Sequence, residues 1–363
     1  MAHHLDQIIA QPRAVLALRQ AFASGRTHHG WVFYGPEGVG KFTTALAFAK
    51  LLLCPRAAAP KAPQAPPAPC DDCPACRAVE DPDAAHPDLH VVTKELALYS
   101  DDDRVRRGKQ INIPVDVIRR RLVDPAHRKS QLDHNKLFIV DEAELLALEG
   151  QNTLLKTLEE PPAGTYLILV TSNEERLLPT IRSRCQRVGF LPLGDDDVRR
   201  WLADHADADP DRLDPLVRFA RGSIGRAALA LRFDLDDWLG QVEPRLERVA
   251  AGRDDPDLGS LMAELADRFA AAWVDANVNA SKDAANKAAA RAMFGLIGEL
   301  CRQRIAANAP SPNADPDHAD DALAPWIDGV ELLADAERQL ASNVALPLLM
   351  DNLCVQWASL AGR

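Results

Sequence analysis

Apolar residues in this chain gather into short, dense runs separated by longer stretches of mixed polarity. Trp31–Tyr34, Leu89–Val92, Lys136–Val140, Tyr166–Thr171 and Arg187–Phe190 are mostly β-branched, aromatic or aliphatic. Runs this short, without strict alternation, predict strands buried on both faces of a parallel sheet. Between them the pattern predicts helices: Thr43–Leu53 behind a glycine-rich turn, and Leu148–Glu160, stopped by Pro161 and Pro162. From Asp195 the strand signals vanish. Three helices are predicted over Asp195–His205, Pro210–Ala220 and Ile224–Leu231, and a longer Ala- and Leu-rich stretch runs from Trp238 to Arg363. The expected organisation is an α/β domain over 1–190, a small helical domain over 191–240 and an all-helical domain over 241–363. Pro55–Pro69 and Asn308–Asp321 have the composition of extended links.

A chain of 363 residues, 47% of them hydrophobic, suits two or three domains of ~100–200 residues each. Its net charge of −11 argues against a surface that is wholly a nucleic-acid footprint, because duplex binding rests on neutralising phosphates with Lys and Arg. The densest basic region comprises Arg104, Arg106, Arg107 and Lys109, then Arg119–Arg121. It is either a local contact to a DNA backbone or a solvated face, interrupted as it is by Asp101–Asp103. No apolar run approaches the ~20 residues that span a bilayer, and the N-terminus lacks the features of a signal peptide. The expectation is a cytoplasmic protein with no membrane partner.

Gly35-Pro-Glu-Gly-Val-Gly40-Lys41 follows a predicted strand and opens a predicted helix. In that context backbone N–H groups and the helix N-terminus cradle phosphates. The next residue should carry a hydroxyl for Mg²⁺, and it is Phe42; Thr43 lies about 100° further round the helix. A glycine turn without nucleotide, a weak or hydrolysis-incompetent site and a repaired working site all fit the loop. Lys136–Val140 ends in Asp141 and Glu142, the order in which a strand end can hold Mg²⁺ and polarise water. A surface pair of acids fits equally.

Seven cysteines divide into Cys54, Cys70, Cys73 and Cys76 within one window, and Cys185, Cys301 and Cys354 scattered singly. Two overlapping C-x2-C steps and a fourth cysteine across a loop match closed, tetrahedral Zn²⁺ ligation by thiolates, which is structural rather than catalytic. The alternative is four buried free thiols, for which the Pro-rich flanks offer no core.

In this order the motifs resemble the clamp-loader ATPase family of the AAA+ class, and within it the non-motor kind of subunit. The resemblance covers roughly residues 5–231. It is carried by Ile8-Ile-Ala-Gln11, the glycine loop, the four cysteines, Val140–Ala143, Asn152-Thr-Leu-Leu-Lys-Thr-Leu-Glu-Glu-Pro-Pro162 and Leu178-Pro-Thr-Ile-Arg-Ser-Arg-Cys185. It implies an AAA+ nucleotide-binding-type α/β domain with a zinc module inserted at about 54–76, then a helical lid and a helical collar that joins subunits into a ring. It assigns Gly35, Gly38, Gly40, Lys41, Asp141, Glu142 and Ser172, the last a sensor at a strand end, to a degenerate nucleotide site with weak ATP or ADP binding at most. Arg184 becomes an arginine acting on the ATP of a neighbouring subunit, and Zn²⁺ the structural cofactor. The partners implied are gamma/tau and delta subunits through the collar, with the sliding clamp and primed DNA reached through the complex during DNA replication.

Two positions depart from the motor subunits of that family. Phe42 replaces their Thr or Ser, and Gly225 stands where they carry a lid arginine, with Arg226 displaced by one. The resemblance therefore implies no intrinsic catalysis. The rivals are an ATP-hydrolysing motor that uses Thr43 in place of residue 42, and a zinc-bearing adaptor.

Overall fold

The computed structural model describes residues 4–57, 66–81, 86–107, 112–205, 210–276, 282–308, 316–340, 342 and 344–361. Lys109 and the middle portions of the two expected links lie outside the described residues. The chain forms two compact units, one of residues 1–198 and 221–225, the other of 199–220 and 226–363.

The first unit is built on five parallel strands, β1 (Gly30–Tyr34), β2 (Leu89–Val92), β3 (Lys136–Val140), β4 (Thr165–Thr171) and β5 (Gln186–Gly189), in the order β2-β3-β4-β1-β5. The apolar runs predicted these strands to within a residue at each end. β3 is buried along its whole length, whereas only Val188 is buried in the edge strand β5. This is the distinction expected between a strand covered on both faces and one at a margin. Phe33 pairs with Val170 and Ile139 with Ile168, which aligns the carboxyl ends of β1, β4 and β3. Helix α1 (Pro12–Ala23) precedes the sheet, and α2 (Lys41–Leu53) is buried on nearly every side. α3 (Pro74–Glu80) lies in the cysteine window, and α4 (Leu148–Glu159) ends before Pro161, where the residue preceding a proline resists the helical conformation. A one-turn helix, α5 (Pro179–Arg182), leads into β5. The core joins Val32, Phe138, Val140, Leu167 and Leu169 of the sheet to Leu154 and Leu158 of α4.

The second unit is helical. Its longer helices are α6 (Leu235–Ala250), α7 (Leu258–Ala276), α8 (Lys282–Ala307), α9 (Pro316–Leu340) and α10 (Leu346–Ala361). Phe269 is its aromatic centre, with ring centroids 4.1 Å from Phe233, 5.5 Å from Trp273 and 5.8 Å from Trp238. Gly329 lets α9 close on α10: a Cβ there would fall 2.2 Å from the ring of the fully buried Trp357. α9 begins inside the stretch expected to be a link. Proline is tolerated in the first helical turn, where its missing N–H would have no partner, so Pro316 starts the helix rather than preventing it. Among the described residues no helix is long and apolar enough to cross a membrane.

Candidate functional site

The carboxyl ends of β1, β3 and β4 bring the predicted nucleotide residues to one place, the edge at which open parallel sheets bind ligands. β1 feeds the glycine loop, and α2 starts immediately after Gly40. Gly38 has φ +73°, and a Cβ there would lie 2.3 Å from Ser223 Oγ and 3.0 Å from Gly225 Cα. The Gly225 amide donates to the Gly38 carbonyl at 2.9 Å, and the Leu193 amide to the Gly222 carbonyl at 2.8 Å. Residues 222–225 are thus fastened across the loop. Gln11 staples it from another side: its amide donates to the carbonyls of Val39 at 3.3 Å and Leu191 at 2.7 Å, and its oxygen accepts from the Leu191 amide at 3.2 Å.

The loop lysine is turned onto its own backbone. Lys41 is buried, and Nζ donates to the carbonyls of Gly35 at 2.7 Å and Pro36 at 2.5 Å. Burial lowers its pKa from the ordinary lysine value, against the pull of Glu144, Glu37 and Asp141. Phe42 and Thr43 are half-buried in the first turn of α2, and the Thr44 hydroxyl donates to the Gly40 carbonyl at 2.8 Å. Arg226 belongs to the helical unit, where its guanidinium lies over the Phe219 ring at 4.7 Å.

The acids beyond β3 are likewise engaged. Burial pushes Asp141 up to about 6, although the Glu142 amide donates to its Oδ1 at 3.0 Å. Glu142 adopts left-handed backbone geometry, φ +49°, and its Oε1 accepts from Lys94 Nζ at 2.8 Å. Ser172, at the end of β4, donates its amide to Glu144 Oε1 at 3.1 Å and its hydroxyl to the same oxygen. Burial would raise Glu144, but the Ser172 and Thr171 hydroxyls and the backbone amides hold it below the usual carboxylate range. Lys94 and Glu144 therefore join the site although neither was assigned to it from sequence. Lys94 is 48 positions from its partner, and no motif spacing reports such a contact.

Arg184 sits elsewhere. It precedes β5, so in a parallel sheet it lies at the amino edge, and its carbonyl is 3.3 Å from the Cβ position of Gly30 at the start of β1. The length of β1, roughly 13 Å at ~3.3 Å per residue, separates that edge from the glycine loop. Its guanidinium is partly exposed, 2.8 Å from Glu159 Oε1 and 3.1 Å from the Thr180 carbonyl.

The cysteines converge. Cys54 caps the C-terminus of α2 and Cys73 the N-terminus of α3. Cys70 and Cys76 amides donate to Cys54 Sγ and Cys73 Sγ, each at 3.4 Å, and Cys70 Sγ lies 4.0 Å from Cys76 Sγ. All four sulfurs fall within 4.8 Å of one another and could hold a metal ion. Zn–S bonds of ~2.3 Å give a tetrahedral sulfur–sulfur edge of about 3.8 Å, so the spacing fits. Burial opposes ionisation of Cys73, but the Cys76 amide and the neighbouring thiols outweigh it and bring Cys73 to about 7.

In the basic region, Arg106 pairs with Asp103 and donates to the Ser100 carbonyl at 2.9 Å. Arg120 meets Asp101 at 2.8 Å and Asp116 at 3.0 Å, and Arg121 lies over the Tyr99 ring at 5.7 Å. Local acids thus engage Arg106 and Arg120.

Residues 10–194, just over half of the chain, match the family model described as DNA polymerase III, delta subunit. The chain belongs to this family. The match contains the glycine loop, the four cysteines, Asp141, Glu142, Ser172 and Arg184, whereas residues 199–363 lie beyond it. Within the family's wider kinship, the delta' subunit of DNA polymerase III from Escherichia coli K12 is 30% identical over 245 residues, 68% of this chain and 66% of that protein. The tau subunit from Salmonella typhimurium LT2 is 30% identical over 298 residues, 78% of this chain but 40% of that protein. The chain thus spans from two fifths to about two thirds of the length of these relatives. A gamma-subunit-related protein from Thermotoga maritima is similar in structure, with 16% identity, 96% of this chain and 99% of that one covered, and a TM-score of 0.45.

Proposed function

We propose that this delta-family chain is a non-motor subunit of a DNA polymerase III clamp loader, a fixed element of the ring that helps load the sliding clamp onto primed DNA. One observation carries the reading: Gly225, which stands where motor subunits carry a lid arginine, is fastened by its backbone to Gly38 of the phosphate loop and has no room for a side chain. Phe42 offers Mg²⁺ no ligand atom, and Glu142 is held by Lys94. A phosphoryl-transfer site needs these groups aimed at phosphate, metal and water.

Arg184 lies partly exposed at the opposite edge of the sheet. In this reading it serves the ATP of a neighbouring gamma/tau-type subunit, for which a planar guanidinium is suited. Residues 1–190 act as the AAA+ domain, 191–240 as the lid and 241–363 as the collar. α10 would meet partner subunits there, since Leu348 and Val355 are 64% and 66% exposed and, seven apart, share a helix face. Cys54, Cys70, Cys73 and Cys76 hold a structural Zn²⁺, which when bound supplies a closed cross-link between α2 and α3 and no open coordination position. The place of action is the cytoplasm.

The test is steady-state ATP hydrolysis by the purified chain alone and in a ring reconstituted with gamma/tau and delta subunits. Negligible turnover alone, with clamp loading restored only when the chain is present, is the expected result. Robust hydrolysis by the isolated chain favours the motor reading instead.

A further inference from the structure

Beside the four sulfurs lies a charge that metal ligation leaves unexplained. Lys50 is 0% exposed, in the last turn of α2 and four residues ahead of Cys54. Its Nζ donates to Asp71 Oδ1 at 2.5 Å and to Glu80 Oε1, and lies 3.2 Å from His4 Nε2, itself 3.0 Å from Asp71 Oδ1. Each acid is tied to a cysteine. Asp71 follows Cys70 with left-handed backbone geometry, φ +64°, and Glu80 is the last residue of α3, four beyond Cys76. One ammonium therefore gathers the segments that carry Cys54, Cys70 and Cys76.

The electrostatics point the same way. Four thiolates around a divalent cation leave two net negative charges, and Asp71 and Glu80 add two more nearby. A buried ammonium is tolerated only when it is paired, and the two carboxylates pair it. Burial would lower the pKa of Lys50, yet its bonds to Asp71 and Glu80 raise it above the ordinary lysine value, so the cation is firmly charged. The donor atoms of His4, Asp71 and Glu80 lie within 4.8 Å of one another and could themselves hold a metal ion; the Lys50 amine stands among them as the cation.

We propose that Lys50 is a positioning residue of the metal centre, an internal cation that draws Asp71 and Glu80 together, pre-setting the cysteine loop and keeping both carboxylates from opposing metal–thiolate ligation. This rests on the reading that the cysteines bind a metal. The experiment loads full-length protein with Co²⁺, whose thiolate-to-metal absorbance reports the cysteine site alone, and follows metal loss to excess chelator. Lys50→Met should release Co²⁺ faster, by about 10-fold, the lower end of the loss in metal affinity that outer-shell changes cause. The triple variant Lys50→Met, Asp71→Asn, Glu80→Gln removes the uncompensated acids along with the cation and should recover slow release, which a purely space-filling role for the lysine would not predict. If Lys50→Met fails to fold, the triple variant alone decides, and its failure to fold or to retain Co²⁺ overturns the proposal. Unchanged release from Lys50→Met, or a triple variant no better than the single, overturns it while leaving the metal centre standing. No thiolate absorbance in the unmodified chain overturns both.

Discussion

Gly225 and Gly38 touch through their backbones: the amide of one donates to the carbonyl of the other at 2.9 Å, and a Cβ on Gly225 would fall 2.8 Å from Gly38 Cα. The resemblance to motor subunits presents Gly225 as an arginine that is missing. In the structure it is a residue that the loop leaves no room to enlarge. Gly225→Arg is therefore expected to lower stability by about 1–3 kcal/mol, the usual range for overpacking, and to leave ATP turnover negligible. Adding Phe42→Thr should not rescue it. Denaturant unfolding and a steady-state ATPase assay check both halves; hydrolysis by either variant would show that the site needs only one or two groups restored.

Asp141 gives the site a pH signature. Its folded pKa, about 6, lies above its unfolded value, so the folded chain binds the proton more tightly. The stabilisation is fully present below ~pH 4 and is lost as pH rises through the folded pKa. At pH 7.5 the buried carboxylate then imposes a penalty on the order of 2–3 kcal/mol for a shift of about two units. Asp141→Asn, measured in buffer without added Mg²⁺, should raise the unfolding midpoint at pH 7.5 and leave it nearly unchanged at pH 4. Equal effects at the two pH values would mean that the carboxylate is not desolvated as the structure indicates.

The metal assignment separates two cysteines of opposite character. Cys73 is brought to about 7, whereas burial pushes the isolated Cys185 thiol up to about 12. Protein purified without chelators should contain one zinc per chain, Cys73→Ser should lose it, and Cys185→Ser should keep it. Elemental analysis decides, and zinc retained by Cys73→Ser contradicts the four-thiolate site.

Much of the first unit was legible because its strands are covered on both faces, so their sequences are continuous apolar runs that need no alternation to be recognised. The cysteine centre was legible for a related reason: its spacing is local. The arrangement around the glycine loop and the acids beyond β3 was not. It depends on contacts between Lys94 and Glu142, between Gly38 and Gly225, and between Gln11 and Leu191, residues brought together only by the folded sheet. The helical half was read from composition, which located helices such as Asp195–His205 but not the packing of residues 199–220 with 226–363 into one unit.

That packing also sets how assembly should be tested. A truncation near Leu231 would strip residues 199–220 of the helices they pack with, so loss of assembly would be confounded with unfolding. Leu348→Lys with Val355→Glu alters exposed positions instead, where effects on stability stay within about 0.5 kcal/mol. The pair should leave the unfolding midpoint in place and abolish co-elution with gamma/tau and delta subunits; undiminished co-elution would move the interface off this face of α10.

Arg184 faces a competitor within its own chain. Its 2.8 Å pairing with Glu159 joins two partly exposed side chains, and such pairs contribute about 0–1 kcal/mol, so the guanidinium can leave for a triphosphate at small cost. Glu159→Gln should therefore preserve or raise the activity of the reconstituted ring, whereas Arg184→Ala should lower DNA- and clamp-stimulated hydrolysis while leaving folding, zinc content and assembly intact. Arginines supplied in trans are worth roughly 10³–10⁵ in rate in other phosphoryl-transfer systems. A ring with several active sites dilutes the loss at one interface, so the measurement should count turnover at the neighbouring subunit alone, with the remaining motor sites inactivated. Equal rates with and without Arg184 under that condition would leave the residue no role beyond its contact with Glu159.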